Sequence, residues 1–313
     1  MNSQARGRSW APLLVALLLS PISIPADTFR VATYNLENYL DQPTESRPHL
    51  KSAAARSKIR ESIGALRPEV LALQEMGSES ALLELRESLK REGLDYRYWE
   101  LVGGFDTNSH VAVLSQFPFV RRQPHTNDNF LLNGRRFHVS RGIGEVEIQV
   151  SSSYHFTLLT GHLKSKRPVP EADESDERAQ EARILRGIIE SRLAADPDAN
   201  LVVAGDFNDT KDSPSIRQVI GQGRFRLIDT RPAERNGDSG ASSNPGFDAR
   251  AVTWTHYYGK EDTYARIDYI LLSPAMARHW IRKETYILAI PDWGVGSDHR
   301  PLVATFDTGF ARP

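Results

Sequence analysis

Six apolar, strand-like segments of this sequence each carry an oxygen- or imidazole-bearing side chain at or near one end. These side chains are Asn35, Glu75, His162, Asp206 with Asn208, Asp268, and the pair Asp298 and His299. An α/β sheet builds a site from residues that are far apart in sequence but lie at neighbouring strand ends. We therefore expect these side chains to converge, and their placement predicts one chemical site.

Three of these residues, Asn35, Glu75 and Asp298, offer only hard oxygen ligands. Such ligands suit Mg²⁺ or Mn²⁺ and suit Zn²⁺ poorly. A magnesium site with few protein ligands keeps positions open for water and a phosphate oxygen, and the ion offsets charge that develops on a phosphoryl group. The ligand types therefore favour phosphoester cleavage with Mg²⁺, with Mn²⁺ or Ca²⁺ as alternative cofactors.

The remaining residues can supply acid–base chemistry. Asp206 could align and deprotonate an attacking water, with Asn208 fixing either that carboxylate or the phosphate. His299 beside a carboxylate such as Asp268 would be held in one orientation and favoured as imidazolium, so that it can hydrogen-bond a phosphoryl oxygen. His162 is a second donor and a candidate acid for the leaving group.

Each motif taken alone also has an ordinary structural explanation. The segment around Asp206 could be a turn that caps a helix, and Glu75 could interact with the dipole of a following helix. Asp298 and His299 could form a surface ion pair. Asp268 in an apolar strand is harder to explain without a partner, and the joint occurrence of all the motifs favours function.

Other catalytic chemistries lack their residues. The sequence has no cysteine, no Gly-x-Ser-x-Gly turn and no glycine-rich phosphate loop ending in lysine. The missing cysteine excludes thiol catalysis, thiolate zinc sites and disulfide scaffolds. Serine-hydrolase chemistry is not supported either.

The sequence resembles the endonuclease/exonuclease/phosphatase superfamily over about residues 29–307. The resemblance rests on the ordered motifs TYNLEN, LALQEM, TGHLKSK, GDFND, RIDYILLS and SDHRPL. It implies a four-layer α/β sandwich, in which two packed β-sheets are flanked by helices. It also implies that Asn35 and Glu75 lie beside the metal, that Asp298 lies near metal or water, and that His162 contacts phosphate.

The elements that must position these residues alternate between strands and helices, which by itself predicts an α/β fold. The helices are Ser52–Leu66, Ser80–Arg91 and Asp176–Leu193, and the loops are Lys164–Ser175 and Glu234–Arg250. The predicted strands are Thr28–Asn35, Val70–Gln74, His110–Ser115, Glu145–Val150, Tyr154–His162, Leu201–Asp206, Arg266–Leu272 and Leu302–Phe306.

Composition and the first residues suggest an exported enzyme. The chain has 313 residues, 40% hydrophobic and 25% charged, which is typical of a globular protein. Residues 1–26 combine two arginines, a short apolar run and a terminal Ala26, which predicts a signal peptide and a secreted or periplasmic product. The run is too short for a membrane span, so stable membrane association is not expected. Residues 27–313 are predicted to form one domain, in a monomer.

Loss of the signal peptide would remove two basic and no acidic side chains, which takes the formal charge from −1 to −3. Any polyanionic partner therefore needs a local basic patch. We expect Arg141 and Lys164 to bind substrate, within a basic rim that also includes Arg135, Arg136, Lys166 and Arg167. A solvated charged face is the alternative interpretation of this rim.

The combined prediction is a metal-dependent phosphodiesterase, in first place a nuclease that hydrolyses DNA or RNA by in-line attack of water. The wording HLKSK is similar to that of secreted bacterial-type nucleases. The first alternative is a phosphoesterase for a small molecule or a lipid, as in sphingomyelinases and inositol phosphatases. A more remote alternative is a non-catalytic binding module on the same scaffold.

Overall fold

The computed structural model describes residues 28–234 and 253–309. The predicted signal peptide, residues 1–26, and nearly all of the predicted loop Glu234–Arg250 lie outside the described residues. The described helices are α1 (Ala53–Leu66), α2 (Glu79–Arg91), α3 (Glu174–Ala195) and α4 (Pro214–Ile220). The strands are β1 (Thr28–Tyr39), β2 (Val70–Met76), β3 (Tyr98–Val102), β4 (His110–Ser115), β5 (Phe119–Arg122), β6 (Asn129–Leu132), β7 (Arg135–His138), β8 (Ile143–Gln149), β9 (His155–His162), β10 (Leu201–Asp206), β11 (Ile228–Asp229), β12 (Ala233–Glu234), β13 (His256–Tyr258), β14 (Thr263–Ala265), β15 (Asp268–Leu272), β16 (Trp280–Ile287) and β17 (Leu302–Asp307).

Two mixed β-sheets form the centre of the molecule. The first has the strand order β12-β16-β17-β1-β2-β4-β3, and the second has the order β11-β15-β10-β9-β8-β5. The pairs β1–β2 and β9–β10 are parallel, whereas β10–β15 and β1–β17 are antiparallel. The two remaining described pairings, β6–β7 and β13–β14, are separate hairpins.

Alternating side chains place the two sheets between helices. On β1, Val31 belongs to the buried cluster between the sheets that also contains Val202, and its neighbour Ala32 belongs to the cluster formed with α1 and α2. On β10, Val202 faces the first sheet, and Val203 packs against Leu185 of α3. Period-two alternation with both faces buried requires a layer on each side. The layers run helix, sheet, sheet, helix, which confirms the four-layer α/β sandwich.

Helix starts follow local capping chemistry. Ser52 and Ser78 accept hydrogen bonds from backbone N–H groups of the first turns of α1 and α2, and Asp173 does the same for α3. Such caps satisfy donors that a helix leaves unpaired. The cap at Asp173 explains why α3 begins two residues before the predicted Asp176. Within the described ranges, none of the helices combines the length and apolar character needed to cross a membrane.

Some strands were not predicted from the sequence. The stretch that includes Arg135 and Arg136, predicted only as a charged rim, is the β6–β7 hairpin, closed by Asn133 and Gly134 with φ of 51° and 76°. Positive φ at both residues is typical of an Asn-Gly hairpin turn. Strand β16 was not predicted because its sequence is largely polar, and its pairing with β17 has an irregular register. Strand β1 runs to Tyr39 rather than ending at Asn35.

Candidate active site

Adjacent strands of the second sheet place three site residues side by side. Asp206 of β10 is in register with His162 of β9 on one side and with Asp268 of β15 on the other. One residue earlier, Gly205 pairs with Gly161. Gly205 has φ of 149°, and a Cβ there would lie 2.0 Å from the Gly161 carbonyl oxygen. Only glycine allows this close approach of the two backbones.

The Asp206 carboxylate is the centre of the cluster. Its Oδ2 accepts a 2.9 Å hydrogen bond from Asn35 Nδ2, which comes from the other sheet. The same oxygen lies 3.4 Å from His162 Nε2 and 3.7 Å from His299 Nε2. Its Oδ1 accepts a 2.8 Å hydrogen bond from the Asn208 backbone N–H. Both sheets and both imidazoles therefore meet at one buried carboxylate.

The His299 imidazole is held from behind by Asp268. The distance between His299 Nδ1 and Asp268 Oδ2 is 2.8 Å, and Thr255 Oγ1 accepts a hydrogen bond from the Asp268 backbone N–H. Burial on its own would lower the pKa of His299, but the carboxylates of Asp268 and Asp206 outweigh burial and raise that pKa to about 10. His299 is therefore a cation at neutral pH, with Nε2 directed toward Asp206.

Burial drives the other two titratable groups toward their neutral forms. It raises the pKa of Asp206, and the nearby charge of Asp268 raises it further. It lowers the pKa of His162 well below its usual value, an effect strengthened by the positive charges of Arg141 and His299. Displaced pKa values of neighbouring groups are typical of catalytic sites, because acid and base must act near the same pH.

The predicted metal-side residues lie where the pairing of β1 and β2 becomes irregular. The register shifts after Asn35, and Glu75 has φ of 57°, a left-handed conformation that is uncommon for a residue other than glycine. Glu75 Oε1 lies 3.3 Å from Asn35 Nδ2 and 4.0 Å from His162 Nε2, and its side chain is 22% exposed. The partly exposed Glu75 carboxylate fits a hard cation such as Mg²⁺, and Asn35 would bind the same ion through Oδ1, which here accepts a 2.9 Å hydrogen bond from the Glu37 N–H.

Arg141, Lys164 and Asn208 share one wall of the site. The Leu163 carbonyl accepts hydrogen bonds from Arg141 Nη1 at 3.2 Å and from Asn208 Nδ2 at 2.9 Å. The buried Nε of Arg141 has no hydrogen-bond partner among the described residues. Lys164 is mostly buried, and its Nζ donates to the Arg167 carbonyl at 2.9 Å. Arg141 is therefore better placed than Lys164 to contact a substrate; both assignments stay predictions.

A model of the endonuclease/exonuclease/phosphatase family matches residues 32–299, most of the chain. The chain belongs to this family. The match begins in β1, just before Asn35, and ends at His299. It therefore spans every site residue described above.

Several solved structures share the fold of this chain. The human nocturnin catalytic domain with bound sulfate is 16% identical, covers 90% of this chain and 94% of its own, and has a TM-score of 0.62. Sphingomyelinase C from Streptomyces griseocarneus is 18% identical over 90% and 99%, with a TM-score of 0.58. Truncated TDP2 from Caenorhabditis elegans is 14% identical over 90% and 97%, with a TM-score of 0.59. These identities establish the fold alone. A search of curated proteins found no match.

Sequence reasoning missed one member of the cluster, His256. Its Nε2 lies 3.5 Å from Asp298 Oδ2, and its ring centroid is 4.6 Å from that of His299. The other oxygen, Asp298 Oδ1, lies 3.9 Å from His299 Nε2. No spacing in the sequence links His256 to this motif, because the hairpin β13–β14 brings it there. The predicted Asp298 therefore contacts two imidazoles.

Proposed function

We propose that this protein is a Mg²⁺-dependent phosphodiesterase that hydrolyses DNA or RNA. The observation that carries the proposal is the buried Asp206 carboxylate, which lies within 3.7 Å of Asn35, His162 and His299. The Asp206 carboxylate can act as a base, and the cationic imidazole of His299 can donate a hydrogen bond to developing negative charge. The nearby Asn35 and Glu75 offer oxygen ligands for a metal ion. Family membership restricts the chemistry to phosphoesters.

Asp206 acts as the general base in this proposal. It takes a proton from water as the water oxygen attacks phosphorus, and the bond from phosphorus to the leaving oxygen breaks on the opposite side. The raised pKa of Asp206 strengthens it as a base near neutral pH. The Asn208 backbone N–H fixes the carboxylate at Oδ1, and the Asn208 side chain is anchored on the Leu163 carbonyl.

The two imidazoles stabilise negative charge that develops on the phosphoryl group and on the leaving oxygen. His299, kept protonated by Asp268, donates from Nε2 to a phosphoryl oxygen as negative charge develops there. His162 is buried and neutral and can donate one hydrogen bond, either to phosphate or to the leaving oxygen. A bound Mg²⁺, held by Asn35 and Glu75 with Asp298 nearby, would neutralise phosphate charge.

A nucleic-acid substrate is supported by basic side chains next to the site. Arg141 contacts the Leu163 carbonyl, which also holds Asn208. The exposed Arg135 and Arg136 lie on the β6–β7 hairpin, which leads directly into Arg141, and Lys166 and Arg167 are exposed on the loop after β9. Such a local patch can bind a polyanion although the whole protein is slightly acidic.

The test is a substrate panel with EDTA-stripped protein and added Mg²⁺, Mn²⁺ or Ca²⁺. We expect chelator-sensitive hydrolysis of DNA or RNA and slower hydrolysis of bis-p-nitrophenyl phosphate. Faster cleavage of sphingomyelin or an inositol phosphate than of nucleic acid would show that the substrate is a lipid or a small molecule instead. Absence of metal-dependent hydrolysis on every substrate would overturn the proposed function.

The double variant Arg135→Gln with Arg136→Gln tests the basic patch. It should weaken nucleic-acid binding and reduce the salt dependence by about one unit of log–log slope per lost phosphate contact. Cleavage of bis-p-nitrophenyl phosphate should not change. The matched control is Lys90→Gln with Arg97→Gln, two exposed cations beside Asp95 at the opposite end of the first sheet. Equal effects of the two double variants would count against this patch.

We also propose that the enzyme is exported and acts outside the cytoplasm. The support is the sequence of residues 1–26, with its basic start, apolar run and small residue at the end. N-terminal sequencing of the protein from culture medium or periplasm should show a chain that begins near Asp27. An intact Met1 terminus on a cell-retained protein would contradict export.

A further inference from the structure

His256 contacts the Asp298–His299 segment through its backbone as well as its ring. Its backbone pairs with that of His299 in an isolated antiparallel bridge, and the Tyr257 N–H donates to the Asp298 carbonyl at 3.0 Å. The side chain of His256 is partly exposed, at 18%. These pairings fix the backbone of His256, and its imidazole faces Asp298 and His299.

The three side chains present a compact set of metal donors. Asp298 lies between the two imidazoles, 3.5 Å from His256 Nε2 through Oδ2 and 3.9 Å from His299 Nε2 through Oδ1. One ligand atom from each residue falls within 4.8 Å of both others. These spacings are near those between ligands of one metal ion whose bonds are about 2.0–2.2 Å long.

Asp268 completes the arrangement behind His299. It engages His299 Nδ1 at 2.8 Å, so a cation would bind at Nε2 and replace the proton that His299 carries there. Histidines that bind zinc usually have a carboxylate or carbonyl on the other ring nitrogen, which fixes their orientation and increases their basicity. This support is already present in the protein, and His256 supplies the second imidazole that a hard-oxygen site lacks.

We propose that His256, Asp298 and His299 bind an imidazole-preferring divalent cation of the Zn²⁺ type, at a site chemically distinct from the Asn35 and Glu75 pair. Two imidazoles and one carboxylate form a donor set common for zinc, with a fourth position left for water. Mg²⁺ prefers oxygen ligands and discriminates against this set.

Occupancy of this site has a consequence that rests on the proposed function. An ion on His299 Nε2 takes the nitrogen that would otherwise donate to the phosphoryl oxygen. Zn²⁺ should therefore inhibit hydrolysis that Mg²⁺ supports, and raising the Mg²⁺ concentration should relieve the inhibition only weakly. The chain would then carry one site for an activating ion and a neighbouring site for an inhibiting ion.

Binding is tested without any assay of activity. EDTA-stripped mature protein is titrated with Zn²⁺ against a chromophoric zinc chelator. We expect one tight site per chain in the wild type and at least roughly tenfold weaker binding in His256→Gln, since even residues that only support zinc ligands change affinity by about 10–100-fold. The control is His155→Gln, an exposed histidine near Glu147 at the other end of β9, which should bind as the wild type does.

Thermal unfolding of each variant, with and without Zn²⁺, checks that it is folded. The stabilising shift caused by Zn²⁺ should disappear in His256→Gln and in a second variant, Asp298→Asn. Wild-type zinc affinity in folded His256→Gln would overturn the site, because it would place the ion elsewhere, for example on Asp206, Asp268 and His299.

Inhibition is then measured on bis-p-nitrophenyl phosphate with Mg²⁺ present. The Zn²⁺ concentration for half-inhibition, taken relative to the activity of each variant without Zn²⁺, should rise at least roughly tenfold in His256→Gln, in parallel with the binding constant. An equal Zn²⁺ concentration for half-inhibition in the wild type and in His256→Gln would overturn the inhibitory role of this site. Zinc binding without hydrolysis by any variant would support the site and reject the proposed function.

Discussion

The two sheets contribute chemically different halves of the candidate site. The first sheet supplies Asn35 and Glu75 at an irregular pair of strands, and Glu75 remains partly exposed. The second sheet supplies His162, Asp206 and Asp268 from three strands in exact lateral register, all of them buried. One half pairs the buried Asn35 with the partly exposed carboxylate of Glu75, and the other is a fully buried group of titratable side chains.

This difference indicates that the two halves of the site have different chemical roles. A cation exchanges with solvent, so its ligands must be reachable, and backbone strain at Glu75 is tolerated where the strands already deviate. Acid–base groups need fixed geometry and a water-poor environment, which the regular pairing of β9, β10 and β15 provides. Substitutions in the second sheet should therefore affect turnover, and those in the first sheet should affect the metal requirement.

Asp206→Asn should have the largest effect. The amide keeps the shape of the side chain but cannot accept the proton of water, so we expect kcat to fall by about 10²–10⁴. Steady-state rates on bis-p-nitrophenyl phosphate at saturating Mg²⁺ measure the loss, and thermal unfolding shows that the fold is retained. A folded variant with activity within threefold of the wild type would mean that the base is misassigned.

Glu75→Gln should act mainly through the metal. We expect the Mg²⁺ concentration for half-maximal activity to rise by roughly 10–100-fold, at least the effect of losing a supporting partner of a metal ligand. Rates at high Mg²⁺ should recover much more than in Asp206→Asn. Glu87→Gln on the exposed face of α2 is the control. An unchanged Mg²⁺ requirement would remove Glu75 from the metal side.

Asp268→Asn should move the alkaline limb of the pH profile. Asp268 helps to hold the pKa of His299 at about 10, so its loss should bring the limb toward the ordinary histidine value near 6.5. For the same reason, the His299–Asp268 pair stabilises the wild-type fold fully below pH 6.5, and this contribution declines as the pH rises toward 10.

The measurement is kcat/KM from pH 5 to well above pH 10 for the wild type, Asp268→Asn and the surface control Asp198→Asn, whose carboxylate pairs with the exposed Arg278. At neutral pH we expect Asp268→Asn to lose roughly tenfold in rate, a smaller loss than that of the base variant. An alkaline limb at the same pH in Asp268→Asn and wild type would show that His299 does not depend on Asp268.

Ser297→Ala should have the smallest effect on rate, because Ser297 connects the two halves without touching the reacting groups. Its Oγ donates to the Asn35 carbonyl at 2.8 Å and accepts from the His299 N–H at 3.0 Å. Leaving both groups unpaired should lower the free energy of unfolding by about 1–3 kcal/mol and the rate by less than tenfold. Urea denaturation measures this, with exposed Ser152→Ala as the control. No loss of stability would contradict the bridging role.

The site could be predicted from the sequence because strand ends are readable locally. The apolar runs before Glu75, His162 and Asp206 fix where each strand stops, and parallel or neighbouring strands then bring the ends together. The four layers came from the family resemblance, since periodicity shows only that both faces of Val202 and Val203 are buried.

The features that could not be predicted depend on strand pairings that leave no local pattern in the sequence. His256 reaches the site through a three-residue strand and a bridge to His299, both too short for a hydrophobic pattern. Strand β16 has the polar stretch Arg282–Glu284 at its middle, where its register with β17 also shifts, so its sequence shows no alternating pattern. Lys164 was placed on the basic rim by its charge, whereas its amine bonds to carbonyls of its own loop, a contact that charge alone does not reveal.

Gly205 of β10 limits how this enzyme can be redesigned. Any side chain at position 205 would collide with the neighbouring strand one residue before His162 and Asp206, and would displace both from the substrate. Mutant libraries aimed at new substrates should therefore leave position 205 untouched and place their diversity on the β6–β7 hairpin. Variation there changes what reaches the catalytic groups while their spacing stays constant.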